Sequence, residues 1–196
     1  MLNEKNEKNK AFFLELLRST NREGIESLIK WLESTDFFTA PASTKYHGAY
    51  PGGLLQHSIN VYSRLHDEVF RDGSYAKYYD SKILVSLLHD VCKANMYVES
   101  SRNVKDPVTG TWSQVPCYTV DEQYPFGHGE KSVYLISKHI RLTDEEAMAI
   151  RWHMGGFDQT IKGGSYSVGY AFEKYPLSLL LHIADMKATY LDEERG

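Results

Sequence analysis

Apolar residues recur at intervals of three and four along most of the chain, the spacing that places them on one face of a helix. Phe12, Phe13, Leu16 and Leu17 form a first set, and Ile25, Leu28, Ile29 and Leu32 a second, with Asn21 the expected N-cap between them. Pro41, set among several Ser and Thr residues, makes 34–45 a loop. Leu54, Leu55, Ile59, Val61, Tyr62, Leu65 and Val69 predict a long helix over 53–70. Ile83, Leu84, Leu87, Leu88 and Val91 predict another, capped by Asp80 or Ser81. Between Met96 and Pro125 the period changes, and Tyr97, Val98, Val104, Trp112, Val115, Tyr118 and Val120 flank Asp106-Pro-Val-Thr-Gly110. That pattern predicts two strands about a turn.

Helix resumes near Gly129 with Val133, Leu135, Ile136 and Ile140. Thr143 and Glu146 have capping-box spacing for the next helix, which reaches His153 and stops at Gly155-Gly156. Gly and Tyr dominate 157–174, a predicted loop, and Pro176 opens a last helix with Leu177, Leu180, Leu181, Ala184 and Ala188 inward. The expected fold is all-α: a helical bundle with an inserted β-hairpin at about 96–125. Residues 1–45 form N-terminal helices packed on a core of 46–196, effectively one domain.

The 196 residues suit one unit at about 150 per domain. Hydrophobic and charged contents of 42% and 24% fit a globular protein and exclude general disorder. A net charge of −4 offers no surface for wrapping nucleic acid, although a basic pocket for one phosphate is compatible with it. The charged start MLNEKNEKNK has no apolar core of a secretory signal, and Ser178, His182 and Asp185 interrupt the apolar run 177–186. Cys92 and Cys117 form no CxxC pair, so two reduced thiols are expected. The expectation is a cytoplasmic protein with no membrane partner.

Candidate chemistry begins at Leu87-Leu-His-Asp-Val-Cys-Lys93. Burying an ionised carboxylate costs several kcal/mol unless it is paired or bound to a cation. Asp90 beside His89 supplies a hard oxygen and a borderline nitrogen, a donor set for Fe, Mn, Co, Ni or Zn. A structural hydrogen bond between the two residues fits the same pattern. His57, three after Leu54 and four before Val61, shares their inward face, and Asp185 has the same relation to Leu181 and Ala188. His128 opens a helix and His153 closes one. Four histidines and two aspartates thus take inward or end positions on five helical segments.

The order His57, His89-Asp90, Asp185 resembles the signature of the HD-domain metal-dependent phosphohydrolase superfamily. Gly52-Gly-Leu-Leu-Gln-His57-Ser is similar to its first helix motif and His89-Asp-Val-Cys-Lys93 to its HDxGK motif, with Cys92 in place of the usual glycine. His128 and His153 resemble the pair added by members with two metals. The resemblance covers about residues 45–192. It implies that His57, His89, Asp90 and Asp185 hold a first divalent transition-metal ion, while His128 and His153, with Asp90 shared, hold a second. Six ligands on one ion would fill its shell, whereas divided between two they leave positions for water and substrate.

The implied activity is hydrolysis of a phosphomonoester or phosphodiester of a nucleotide or short oligonucleotide, by water activated at the metals. Asp90 and Lys93 are the catalytic residues, with Lys93 neutralising phosphate charge. Tyr46 and His47, before the first metal helix, and Lys131 and Arg151, beside the second histidine pair, are weaker candidates for touching substrate. Arg102, Lys105 and Trp112 of the hairpin could reach a ligand, and Glu130 could orient His128. His66, His139 and His182 match no motif position.

Residues 52–57 are also similar to HD domains of bacterial 3′–5′ exoribonucleases, but the chain shows no OB-fold module or basic stripe for tracking RNA. Two alternatives share the ligand set: a mixed-valence di-iron oxygenase of the same superfamily, and a non-catalytic regulatory module that keeps its metal for stability. Oligomeric state has no signature in the sequence.

Overall fold

A computed structural model describes residues 4–71 and 75–193. Two helices, α1 (Glu4–Ser19) and α2 (Ile25–Glu33), precede the long α3 (Gly53–Phe70) and α4 (Ser81–Leu88). The hairpin strands β1 (Tyr97–Lys105) and β2 (Trp112–Val120) follow. Then come α5 (His128–Ser137), α6 (Asp144–Trp152), the short α7 (Gln159–Lys162), α8 (Ser167–Lys174) and α9 (Pro176–Lys187). The architecture is mostly helical with one two-stranded antiparallel hairpin, in which Tyr97 pairs with Val120 and Lys105 with Trp112. Among the described residues no helix is long and apolar enough to cross a membrane.

One apolar cluster joins the N-terminal helices to the rest. Phe13, Leu17, Leu28 and Leu32 are buried with Leu54 and Leu65 of α3, Leu84 and Leu87 of α4, Ile150 of α6 and Leu181 of α9. The apolar stripes read from the sequence therefore converge on a single core, except that Phe12 of the first set stays exposed. The hairpin contributes nothing to that cluster; almost all its side chains face solvent.

Two glycines set the spacing around the site. A Cβ on Gly53 would stand 2.0 Å from the Gly48 carbonyl oxygen, and one on Gly129 would stand 2.2 Å from that of Arg151. The first lets the loop over 40–52 close on the opening turn of α3, and the second lets α5 lie against the end of α6.

Local expectations hold where a cap is self-contained. The Thr143–Glu146 box forms, each side chain bonding the other's backbone N–H. Elsewhere tertiary partners win. Asn21 adopts a left-handed turn and α2 starts after Gly24 instead. Asp80 is the cap residue of α4 but makes no side-chain cap bond, while the Ser81 hydroxyl donates to Glu146 at 2.9 Å. The stretch 157–174, expected as a loop, contains α7 and α8. Asp158 starts α7 by accepting from the Thr160 backbone N–H, and Ala171 and Phe172 of α8 pack inward.

Candidate metal centre

His57 projects from the second turn of α3 and is 1% exposed. His89 ends α4 and is fully buried. The chain leaves the helix there: Asp90 has φ −104° and ψ 16°, and Val91–Lys93 form a tighter 3₁₀ turn. His89-Asp-Val-Cys-Lys93 thus occupies a helix terminus, not a helix interior as the sequence suggested. Ser132 of α5 holds the turn by accepting from the Cys92 backbone N–H at 3.2 Å. His128 opens α5, His153 closes α6, and Asp185 lies in the last turn of α9.

These groups meet. His57 Nε2 stands 3.2 Å from His89 Nε2 and 3.3 Å from Asp185 Oδ1. Asp90 divides its two oxygens between the histidine pairs. Its Oδ2 is 3.6 Å from Nε2 of both His57 and His89, whereas its Oδ1 is 2.6 Å from His128 Nε2 and 3.4 Å from His153 Nε2. Lys93 Nζ donates to Oδ2 at 2.6 Å. Ligating atoms lie within 4.8 Å of one another in the sets His57–His89–Asp90, His89–His153–Asp185 and Asp90–His128–His153.

The outer ring nitrogens explain how the imidazoles are aimed. His89 Nδ1–H donates to the Ser86 carbonyl at 2.8 Å, and His153 Nδ1–H to that of Ile150 at 2.7 Å. His57 Nδ1–H donates to Glu193 Oε1 at 3.0 Å. Committing Nδ1 leaves Nε2 as the nitrogen presented to the cluster, the arrangement usual for a metal-ligating histidine. His153 Nε2 is buried with no hydrogen-bond partner. A buried lone pair left unpaired is costly in a folded protein, and a cation would satisfy it.

The electrostatics also call for positive charge at the centre. Burial acts against ionising Asp90, but Lys93, His89 and His128 outweigh it and hold the carboxyl well below its usual range. Burial opposes Asp185 likewise, and the hydrogen bond from His57 prevails. Burial pushes His57 down, yet Asp185 and Glu193 hold it up at about 10; His128, against the same burial, is raised to about 10 by Cys92 and Asp90. Burial lowers His89 to about 3, so its Nε2 presents a lone pair to the cluster. Protons and one ammonium group therefore compensate the two carboxylates where cations could stand. The buried His57, His89, Asp90 and His153, with half-buried His128, could hold a metal ion.

A cavity of about 590 Å³ opens onto the cluster, with His57, Asp90, Lys93, His128 and Asp185 in its wall. His47 lines it too, its ring 4.9 Å from that of His57, and burial followed by His57 lowers its pKa to about 4. Tyr46, 61% exposed, sits at the rim with Phe157, Lys162 and Tyr190.

Lys131 and Arg151 are not brought to this cavity. Lys131 Nζ donates to Glu122 at 2.5 Å and borders a separate groove, while Arg151 is held by Asp158 at 2.8 Å and by Glu130. Both cations are committed to carboxylates, and Glu130 to Arg151 instead of His128. Arg102, Lys105 and Trp112 likewise lie outside the cavity wall. His139 bonds Ser27 and stacks on Trp31, His182 donates to the His153 carbonyl, and His66 packs on Phe70.

Glu193 was missed because an acidic run near a chain end reads as solvated surface. Compared with family models, curated proteins and solved structures, the chain has no match in any of the three.

Proposed function

We propose that the chain is an HD-domain metal-dependent phosphohydrolase, acting on a phosphomonoester or phosphodiester of a nucleotide or short oligonucleotide. The observation that carries this reading is the division of Asp90, one oxygen toward His57 and His89 and the other toward His128 and His153. A carboxylate so placed would serve as a ligand on either side. His57, His89, Asp90 and Asp185 would hold the first, and Asp90, His128 and His153 the second.

Divalent cations at these groups supply Lewis-acid charge to a phosphoryl group and bring the pKa of water toward neutrality. The chain's own residues do the rest. Carbonyls of Ser86 and Ile150 fix the rings of His89 and His153. Burial acts to discharge Lys93, but Asp90 outweighs it and keeps the amine charged, so it can compensate negative charge that grows on a phosphate in the transition state. Tyr46, Phe157 and Tyr190 offer ring faces at the rim for a base, and Lys162 a further cation.

The test is phosphate release by Mn(II)- or Co(II)-loaded protein from nucleoside monophosphates, dinucleotides and aryl phosphodiesters, with Asp90→Ala as control. Turnover that the substitution abolishes supports the reading. No hydrolysis at full metal occupancy would favour a non-catalytic module, and oxygen uptake by iron-loaded protein without phosphate release would favour an oxygenase.

A further inference from the structure

Asn60 and His57 lie three residues apart on α3, so their polar ends share a face. Both reach the same atom: Asn60 Nδ2 donates to Glu193 Oε1 at 2.9 Å, and His57 Nδ1 at 3.0 Å. The Glu193 side chain is 5% exposed, although it follows the last turn of the described chain. It arrives there because Ala188–Asp192 widens into a π turn, a local irregularity frequent at functional sites. That segment is fastened along α3 by ion pairs of Asp192 with Arg64 and of Lys187 with Glu68.

Burying a carboxylate is unfavourable unless its partner repays the lost hydration, and here the partner is the outer nitrogen of a cluster histidine. We propose that Glu193 is the positioning residue of the first cation site, holding His57 through Nδ1 so that Nε2 is delivered to a cation shared with His89, Asp90 and Asp185. The inference rests on the metal reading above.

A different use of the same atoms is a separate cation held by His47, His57 and Glu193, whose ligating atoms also lie within 4.8 Å of one another. That cation would take His57 by Nδ1 while Nε2 faces the inner cluster, and a ring ligating through both nitrogens must give up both protons. A neutral ring donating to a carboxylate makes no such demand, which favours the positioning role.

The test compares wild type, Glu193→Gln and Glu193→Ala by cobalt(II) titration, following the visible bands, and by competition against a chelator for zinc. Circular dichroism checks that the variants fold. Expected are folded variants that bind the first equivalent about 10- to 100-fold more weakly, with shifted cobalt bands, since the geometry at His57 changes. Variants matching wild type in affinity and bands would overturn the inference. So would variants that unfold, because Glu193 would then serve the fold and not the site. A wild type that binds no cobalt defeats the metal reading itself, and the inference with it, before any variant is compared.

Discussion

His57 and His89 meet Nε2 to Nε2 at 3.2 Å across 32 residues of sequence. His89 donates its other N–H to the Ser86 carbonyl, which leaves its Nε2 lone pair facing His57. His57, His89, Asp90 and Asp185 would hold one divalent cation there, while His128 and His153 stand on the far side of Asp90. His128→Ala is therefore expected to lose about half the bound metal and keep the first ion. Elemental analysis of the purified variant checks this, and undiminished metal content would count against the division.

Lys93 lies beside these ligands without being one. Lys93→Ala is expected to retain metal while turnover of a phosphoester falls about 100-fold, the scale of losing one transition-state charge contact. Paired metal and rate measurements decide. A loss of metal in step with activity would make Lys93 a support for Asp90 instead.

Glu146, fully buried, receives Arg22 at 2.6 and 3.0 Å, with Ser81 and its own N-cap residue. Burial opposes its charge, but these partners outweigh it and hold its pKa below the ordinary 4.5. A folded value below the unfolded one gives stability that is present above 4.5 and lost as pH falls through the folded value. Arg22→Ala is expected to cost about 3 kcal/mol near pH 7. In urea unfolding the gap to wild type should narrow on acidification below 4.5; a constant gap would contradict the assignment.

Gly129 supports the second histidine pair through space alone. Gly129→Ala would push its methyl group onto the Arg151 carbonyl oxygen, separating α5 from α6. The expected loss is about 1–3 kcal/mol, with a lower metal content as His128 moves from His153. Calorimetry and metal analysis of the variant check both, and an unchanged melting temperature would remove the packing argument.

The helices and the hairpin were legible because their apolar periods are strong and uninterrupted. His57 and Asp185 were legible for the same reason, as polar residues on otherwise apolar faces. Lys131 and Arg151 misled because proximity in sequence to His128 and His153 says nothing of their partners, Glu122 and Asp158. Asn21 and Ser81 show the same limit for caps, where a turn or a distant carboxylate takes precedence over local propensity. Glu193 was illegible because a π turn and ion pairs to Arg64 and Glu68, not local periodicity, fold it back onto α3. The helices within 157–174 were hidden by glycines and tyrosines whose pattern carries no period.

The central claim is that His57, His89, Asp90, His128, His153 and Asp185 together cage cations. The most direct measurement is elemental analysis of the full chain purified without chelators, beside Asp90→Ala. The account predicts about two transition-metal ions per chain, and little metal once the shared carboxylate is gone. Wild-type protein free of metal that also fails to take up Mn, Fe, Co, Ni or Zn on titration would contradict it.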